Sequence, residues 1–156
     1  MKINYKTLIL CIAIPLAVGG LAGLLTSNSM ETFAMLNKPA LSPPGFLFPI
    51  VWTILYVLMG IASYLVVTSN ATPKQILSAL TYYGIQLAIN FFWSIFFFNF
   101  EWYLFSFLWL LFLWVMIVNT IISFYEISKL SAYLLVPYLL WVTFAGYLNL
   151  SIYLLN

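Results

Sequence analysis

The residues of this chain that could do chemistry are neutral. Tyr83, Gln86, Asn90, Trp93 and Ser94 recur at spacings of three and four, which on a helix gathers them on one face. A later stretch repeats the pattern with Tyr138, Trp141, Ala145 and Asn149, and an earlier one offers Trp52, Tyr56, Gly60 and Ser63. Asn119, Thr120 and Ser123 form a smaller polar group. The chain has no His, and its lone thiol is Cys11, so neither a zinc or imidazole-ligated haem site nor an intramolecular disulfide is expected. Such residues suit binding. Indole walls from Trp52, Trp93 and Trp141, a few neutral donors and a small Ala145 one turn from Trp141 would fit a large planar apolar ligand, provided the three faces converge. The plainer reading makes Gln86, Asn90 and Asn149 interhelical hydrogen-bond partners, worth around 0.6 kcal/mol each in a membrane, and the tryptophans belt or filler.

The elements that carry these faces follow from composition. Eight of 156 residues are charged, 65% are hydrophobic, and mean hydropathy is +1.11. A water-soluble packing cannot hide that much apolar surface, so the solvent is lipid. About 20 apolar residues at roughly 1.5 Å rise span a hydrocarbon core. Five stretches reach that length, at about 7–25, 46–68, 76–98, 103–125 and 132–154. A β-barrel would need alternating segments, whereas Phe91-Phe92-Trp93-Ser94-Ile95-Phe96-Phe97-Phe98 is apolar on both strand faces. The expected fold is an all-α membrane protein, one domain over residues 1–156, built as a bundle of five transmembrane helices. Loop 1, about 26–45, holds Glu31, Lys38, Pro39 and Pro43-Pro44-Gly45, and Trp102 with Tyr103 reads as an interfacial belt.

Lys2, Lys6, Lys74 and Lys129 fall on one side of such a bundle and Lys38 alone on the other. The positive-inside rule then puts the N-terminus in the cytoplasm and the C-terminus outside, as suits a bacterial cytoplasmic membrane. A cleaved signal peptide is the competing reading of the first span. The apolar run is long for one and lacks a clear Ala-x-Ala site, so a retained helix is expected. In that helix Gly19 and Gly23 would let a neighbouring helix approach closely. No carboxylate or lysine falls at mid-span, which argues against a proton-coupled transporter and against a charge-lined pore.

Three blocks carry a family resemblance. The first runs Asn37-Lys38-Pro39-Ala40-Leu41-Ser42-Pro43-Pro44-Gly45-Phe46, then Pro49-Ile50-Val51-Trp52-Thr53-Ile54-Leu55-Tyr56 with Met59-Gly60. The second is Gln86-Leu87-Ala88-Ile89-Asn90-Phe91-Phe92-Trp93-Ser94, and the third is Pro137-Tyr138-Leu139-Leu140-Trp141-Val142-Thr143-Phe144-Ala145-Gly146-Tyr147-Leu148-Asn149. With five spans and this length, the chain resembles bacterial-type members of the tryptophan-rich sensory protein/translocator protein family, whose mammalian members are also called peripheral-type benzodiazepine receptors. The resemblance implies a five-helix bundle, often a homodimer, with a pocket open toward loop 1. It implies binding of porphyrins, notably protoporphyrin IX, and of isoquinoline carboxamide or benzodiazepine-type drugs. By position Trp52, Asn90, Trp93, Trp141 and Ala145 would line the pocket, with Tyr56, Gln86 and Tyr138 beside them and Phe33 and Pro43 across its mouth. Some bacterial members promote light- and oxygen-dependent breakdown of protoporphyrin IX, for which Trp52 and Trp141 are the matching catalytic residues. A metal-free porphyrin needs no axial ligand, so the missing His is no obstacle.

This chain departs from the pattern at three places. Thr32-Phe33 stands where many members have Trp-Tyr, Leu41 where many have Trp, and Tyr153-Leu154-Leu155-Asn156 lacks the cation of the mammalian sterol-recognition stretch. The leading expectation is a membrane receptor or sensor for porphyrin-like ligands. The alternatives are a porphyrin degrader, a tetrapyrrole transporter, and a small scaffold subunit whose aromatic faces contact protein. No required cofactor and no nucleic-acid partner is expected.

Overall fold

The computed structural model describes residues 2–156, and they form an all-helical bundle. Helix α1 spans Tyr5–Thr26 and runs through a 3-10 turn, Ser27–Ser29, into a short helix α2, Met30–Ala34. Four long helices follow: α3 Leu47–Val67, α4 Pro73–Ser94, α5 Tyr103–Ile127 and α6 Lys129–Leu155. A π-helical turn, Ile95–Asn99, extends α4. Five helical segments are thus long and apolar enough to cross a membrane, at the five places where the apolar runs put them.

Local chemistry explains where the helices begin. Asn4 caps α1 by accepting from the Thr7 N–H at 3.2 Å. Thr72 and Gln75 form a reciprocal capping box with Pro73 in the first turn, so α4 starts three residues before the apolar run near residue 76 suggests. Ser128 alone joins α5 to α6 and caps α6 by accepting from the Ser131 N–H, leaving almost no loop there. Loop 1 is also shorter than the sequence implies, because residues 27–34 are helical. The turn into α5 passes through Glu101 at φ 57°, a left-handed conformation forced by its brevity.

In order around the bundle the helices run α1, α3, α6, α5 and α4, with α4 closing lightly back onto α1. Helix α1 is the least embedded of the long helices, burying only Pro15, Ala22 and Thr26. Its backbone comes against that of a neighbour at Gly60 of α3 and not at the Gly19/Gly23 pair. A Cβ on Gly60 of α3 would collide with Ile12 Cα and lie 2.8 Å from the Cys11 carbonyl oxygen, so Gly60 sets the α1–α3 crossing. Gly19 instead receives the Tyr56 ring, while Gly20 and Gly23 face open space. Without a hydrophobic force between helices in lipid, close backbone approach at a glycine supplies the dispersion contact that joins them.

The core between α3, α4 and α6 holds a polar layer. Tyr138 donates its hydroxyl proton to Gln86 Oε1 at 2.6 Å and accepts from Asn90 Nδ2 at 2.7 Å. The Tyr56 hydroxyl reaches Asn90 Oδ1 at 3.4 Å. The polar group on α5 is quieter: Thr120 returns its hydroxyl proton to the Met116 carbonyl of its own helix. The antiparallel order places Lys2, Lys6, Lys74 and Lys129 at one end of the bundle, and Lys38 with the whole of loop 1 at the other.

Candidate functional site

Above the polar layer, at the loop 1 end, the bundle opens into a cavity of about 1040 Å³. Its size follows from what lines it. Gly19, Gly20, Gly23 and Ala22 give α1 almost no side-chain bulk on that side, and Ala145 leaves a gap on α6. Three indoles from three helices form the walls: Trp52 of α3, Trp93 of α4 and Trp141 of α6. The convergence that helical spacing alone leaves open is therefore present.

Each wall is braced. Trp52 stacks on Tyr56 with ring centroids 5.6 Å apart and meets Tyr138 edge-on at 6.2 Å. Trp93 stacks on Phe97 at 5.2 Å, and its indole N–H donates to Asn149 Oδ1 at 3.0 Å. Asn149 in turn donates to the Tyr103 carbonyl at 2.8 Å, tying α4, α6 and the start of α5 together. Trp141 is different. It packs against Phe48 at 5.9 Å, yet its buried Nε1–H has no hydrogen-bond partner among the described residues.

The mouth is closed by α2 and the proline-rich segment. Phe33 is its hub, meeting Phe48 at 6.3 Å, Phe97 at 6.0 Å and Phe98 at 5.3 Å. Two asparagine clamps hold this lid. Asn156 Oδ1 accepts the Asn37 N–H at 3.1 Å while Asn156 Nδ2 donates to the Asn37 carbonyl at 2.9 Å. On the other side Asn99 accepts from Ser29 Oγ at 2.6 Å and donates to the Leu25 carbonyl at 2.9 Å.

Of the residues singled out by sequence, Phe33, Pro43, Trp52, Tyr56, Trp93, Trp141 and Ala145 line one cavity. Gln86, Asn90 and Tyr138 do not line it; they form the buried layer beneath, in which the Tyr138 hydroxyl joins Gln86 Oε1 to Asn90 Nδ2 while Gln86 Nε2 is left without a partner among the described residues. That corrects the placement of Asn90 at the wall. Among the contributors that sequence reasoning missed, three stand out. Phe48 stands one helical turn before Trp52, a spacing that puts both on one face. Asn149 sits on the α6 face already noted, one turn after Ala145. Lys38 lines the mouth and makes the cavity less neutral than expected, and only its place in the Lys-Pro element signals it.

The arrangement holds no acid–base pair, and no cluster of His, Cys, Asp or Glu among the described residues could hold a metal ion. It can enclose a flat apolar molecule between indoles. Comparison with known proteins gives the lineage. A profile of the TspO/MBR family matches residues 11–155. The tryptophan-rich protein TspO of Chlorobaculum tepidum is 40% identical over 157 residues, covering 100% of this chain and 99% of the relative. Its namesake in Archaeoglobus fulgidus is 37% identical, covering 98% and 99% respectively. The human translocator protein is 35% identical over 128 residues, 81% of this chain and 75% of its own. The long apolar helices, the three tryptophan-bearing blocks and these matches agree: the chain is an integral membrane protein of the TspO/MBR family.

Proposed function

We propose that this protein is a membrane receptor or sensor that binds porphyrin-type ligands, protoporphyrin IX foremost, in the cavity under loop 1. Isoquinoline carboxamide and benzodiazepine-type drugs are the synthetic molecules suited to the same space. The observation that carries the reading is the meeting of Trp52, Trp93 and Trp141 around one hollow of about 1040 Å³. That volume lies at the upper end of small-molecule pockets, which are mostly apolar with a few polar groups. The names of the relatives, among them a tryptophan-rich sensory protein of Cereibacter sphaeroides and the translocator proteins of mammals, accord with a sensing or translocating role.

The test is tryptophan fluorescence in detergent during titration with protoporphyrin IX. Saturable quenching is expected, and Ala145→Phe, which fills the gap beside Trp141, abolishes it. Quenching that is absent, or indifferent to that substitution, refutes the reading and favours a scaffold subunit. Liposome uptake of the porphyrin tests the transporter alternative.

One observation favours a second activity on the same ligand. The Trp141 indole N–H is buried without a partner beside the cavity, leaving an electron-rich ring where a photoexcited porphyrin and dioxygen would meet it. Light-dependent breakdown of bound protoporphyrin IX would then slow when Trp52 and Trp141 are replaced by Phe. Unchanged decay of the porphyrin absorbance removes both from the chemistry.

A further inference from the structure

Among the described residues, Lys38 is the one charged residue lining the cavity, and no carboxylate lines it in answer. Its ammonium donates to the Ala34 carbonyl at 3.1 Å and to the Leu36 carbonyl at 3.4 Å. It also sits 5.0 Å from the centroid of the Phe33 ring, the hub of the mouth. Those contacts fix the head group at the rim. An ammonium has three protons, and two carbonyl acceptors leave one without a protein partner. Half-burying a strongly hydrated cation against an apolar hollow is unfavourable unless something anionic meets it. The chain has only five cations, and the other four lie at the opposite end of the bundle.

We propose that Lys38 is the acid-recognition point of the cavity, selecting flat apolar ligands that carry a carboxylate on one edge. The assignment rests on the porphyrin reading above and sharpens it. A dicarboxylic porphyrin would enter ring-first between the indoles, its propionates left at the mouth beside the Lys38 ammonium. Neutral drugs of similar size would occupy the walls without using this contact. A charge-assisted hydrogen bond of ordinary strength corresponds to roughly ten- to hundredfold in affinity.

The experiment titrates the full chain in detergent, by tryptophan quenching, with protoporphyrin IX and with its dimethyl ester. The ester keeps the ring and removes the negative charges. The diacid is expected to bind about ten- to hundredfold tighter than the ester, with the ratio falling toward unity in K38M and partly restored in K38R. Equal affinities of diacid and ester for the unmodified chain overturn the assignment while leaving the porphyrin reading standing. A ratio that survives intact in a folded K38M overturns it as well. Quenching by neither porphyrin overturns both. Should K38M fold poorly, K38Q removes the same charge, and a ratio that survives intact in it overturns the assignment equally.

Discussion

Substitution of Gly60 by Ala tests the geometry on which the cavity depends. The added Cβ would lie 2.8 Å from the Cys11 carbonyl oxygen and collide with Ile12 Cα. Both are backbone atoms of α1, so no rotamer change relieves the contact. To restore even the tight end of ordinary contact, 3.4 Å against 2.8 Å, the α1 carbonyl must withdraw by about 0.6 Å, and Ile12 Cα by more. Overpacking of this kind costs about 1–3 kcal/mol. For a chain of this size each kcal/mol moves the melting temperature by roughly 2–4 °C, so a drop of about 2–12 °C is expected in a detergent melt followed by circular dichroism. Gly84→Ala is the control. It sits on the outer face of α4 with open space around its would-be Cβ, and its melting temperature should not fall. The cavity should respond as well, because α1 supplies Leu16, Gly19 and Gly23 to the wall, so the proposed porphyrin binding should weaken in Gly60→Ala. If Gly60→Ala melts within about 1 °C of the unmodified chain, less than the roughly 2–4 °C that even 1 kcal/mol would move it, the α1–α3 crossing is not set by this glycine.

Three further outcomes follow from named contacts. Tyr138→Phe leaves Gln86 Oε1 and Asn90 Nδ2 without their partner. At about 0.6 kcal/mol per membrane hydrogen bond, plus the cost of stranding buried amides, it should destabilise by roughly 1–3 kcal/mol; an unchanged melt would show the layer to be dispensable. Asn156→Ala removes both side-chain bonds to the Asn37 backbone. On the proposed porphyrin binding, a loss of about 1 kcal/mol in holding the lid should raise the dissociation rate of protoporphyrin IX about fivefold, read by stopped-flow displacement. Glu101→Gly relieves a left-handed residue at φ 57°, so the melting temperature should hold or rise, by up to about 1 kcal/mol of stability; a fall would mean the Glu101 side chain does work that its backbone does not reveal.

Much of this was legible in the chain because lipid leaves few choices. A backbone that must satisfy its own polar groups in hydrocarbon becomes helix, so the five apolar runs fixed five spans. The indoles of Trp52, Trp93 and Trp141 followed from helical spacing, yet their convergence needed the family motifs, since periodicity gives a face and not its azimuth. Helix ends were harder. The Thr72–Gln75 capping box is written in the sequence, but hydropathy passes over it because its residues are polar. Asn90 was misplaced at the wall because a polar residue on an aromatic face can point to a ligand or to another amide, and only the Tyr138 hydroxyl 2.7 Å away decides between them. Gly60 and Gly19 looked alike as small residues. One meets backbone and the other a ring, a distinction made by the crossing of two helices distant in sequence.

The same physics explains how the bundle keeps a hollow. In water a void of this size lined by apolar side chains would be squeezed by the hydrophobic effect, but between helices in lipid that force is absent, since acyl chains solvate leucine as well as leucine does. What remains to close the space is dispersion, which falls off steeply with distance. A hollow therefore persists where rigid spacers hold its walls apart. Here the spacers are identifiable. The Tyr138–Asn90–Gln86 layer fixes α4 against α6 below the cavity. Asn149 ties Trp93 to the start of α5 at its side. Above it, Asn99 and Asn156 pin the two ends of the lid segment. The glycines of α1 then decide the width, because Gly20 and Gly23 offer the opposing wall nothing to pack against. Adding bulk at Gly23, as in Gly23→Leu, should accordingly reduce ligand affinity without lowering the melting temperature, since Gly23 lines the cavity and a Cβ there meets no heavy atom within 4 Å. Unimpaired binding by that variant would place the ligand elsewhere on the bundle.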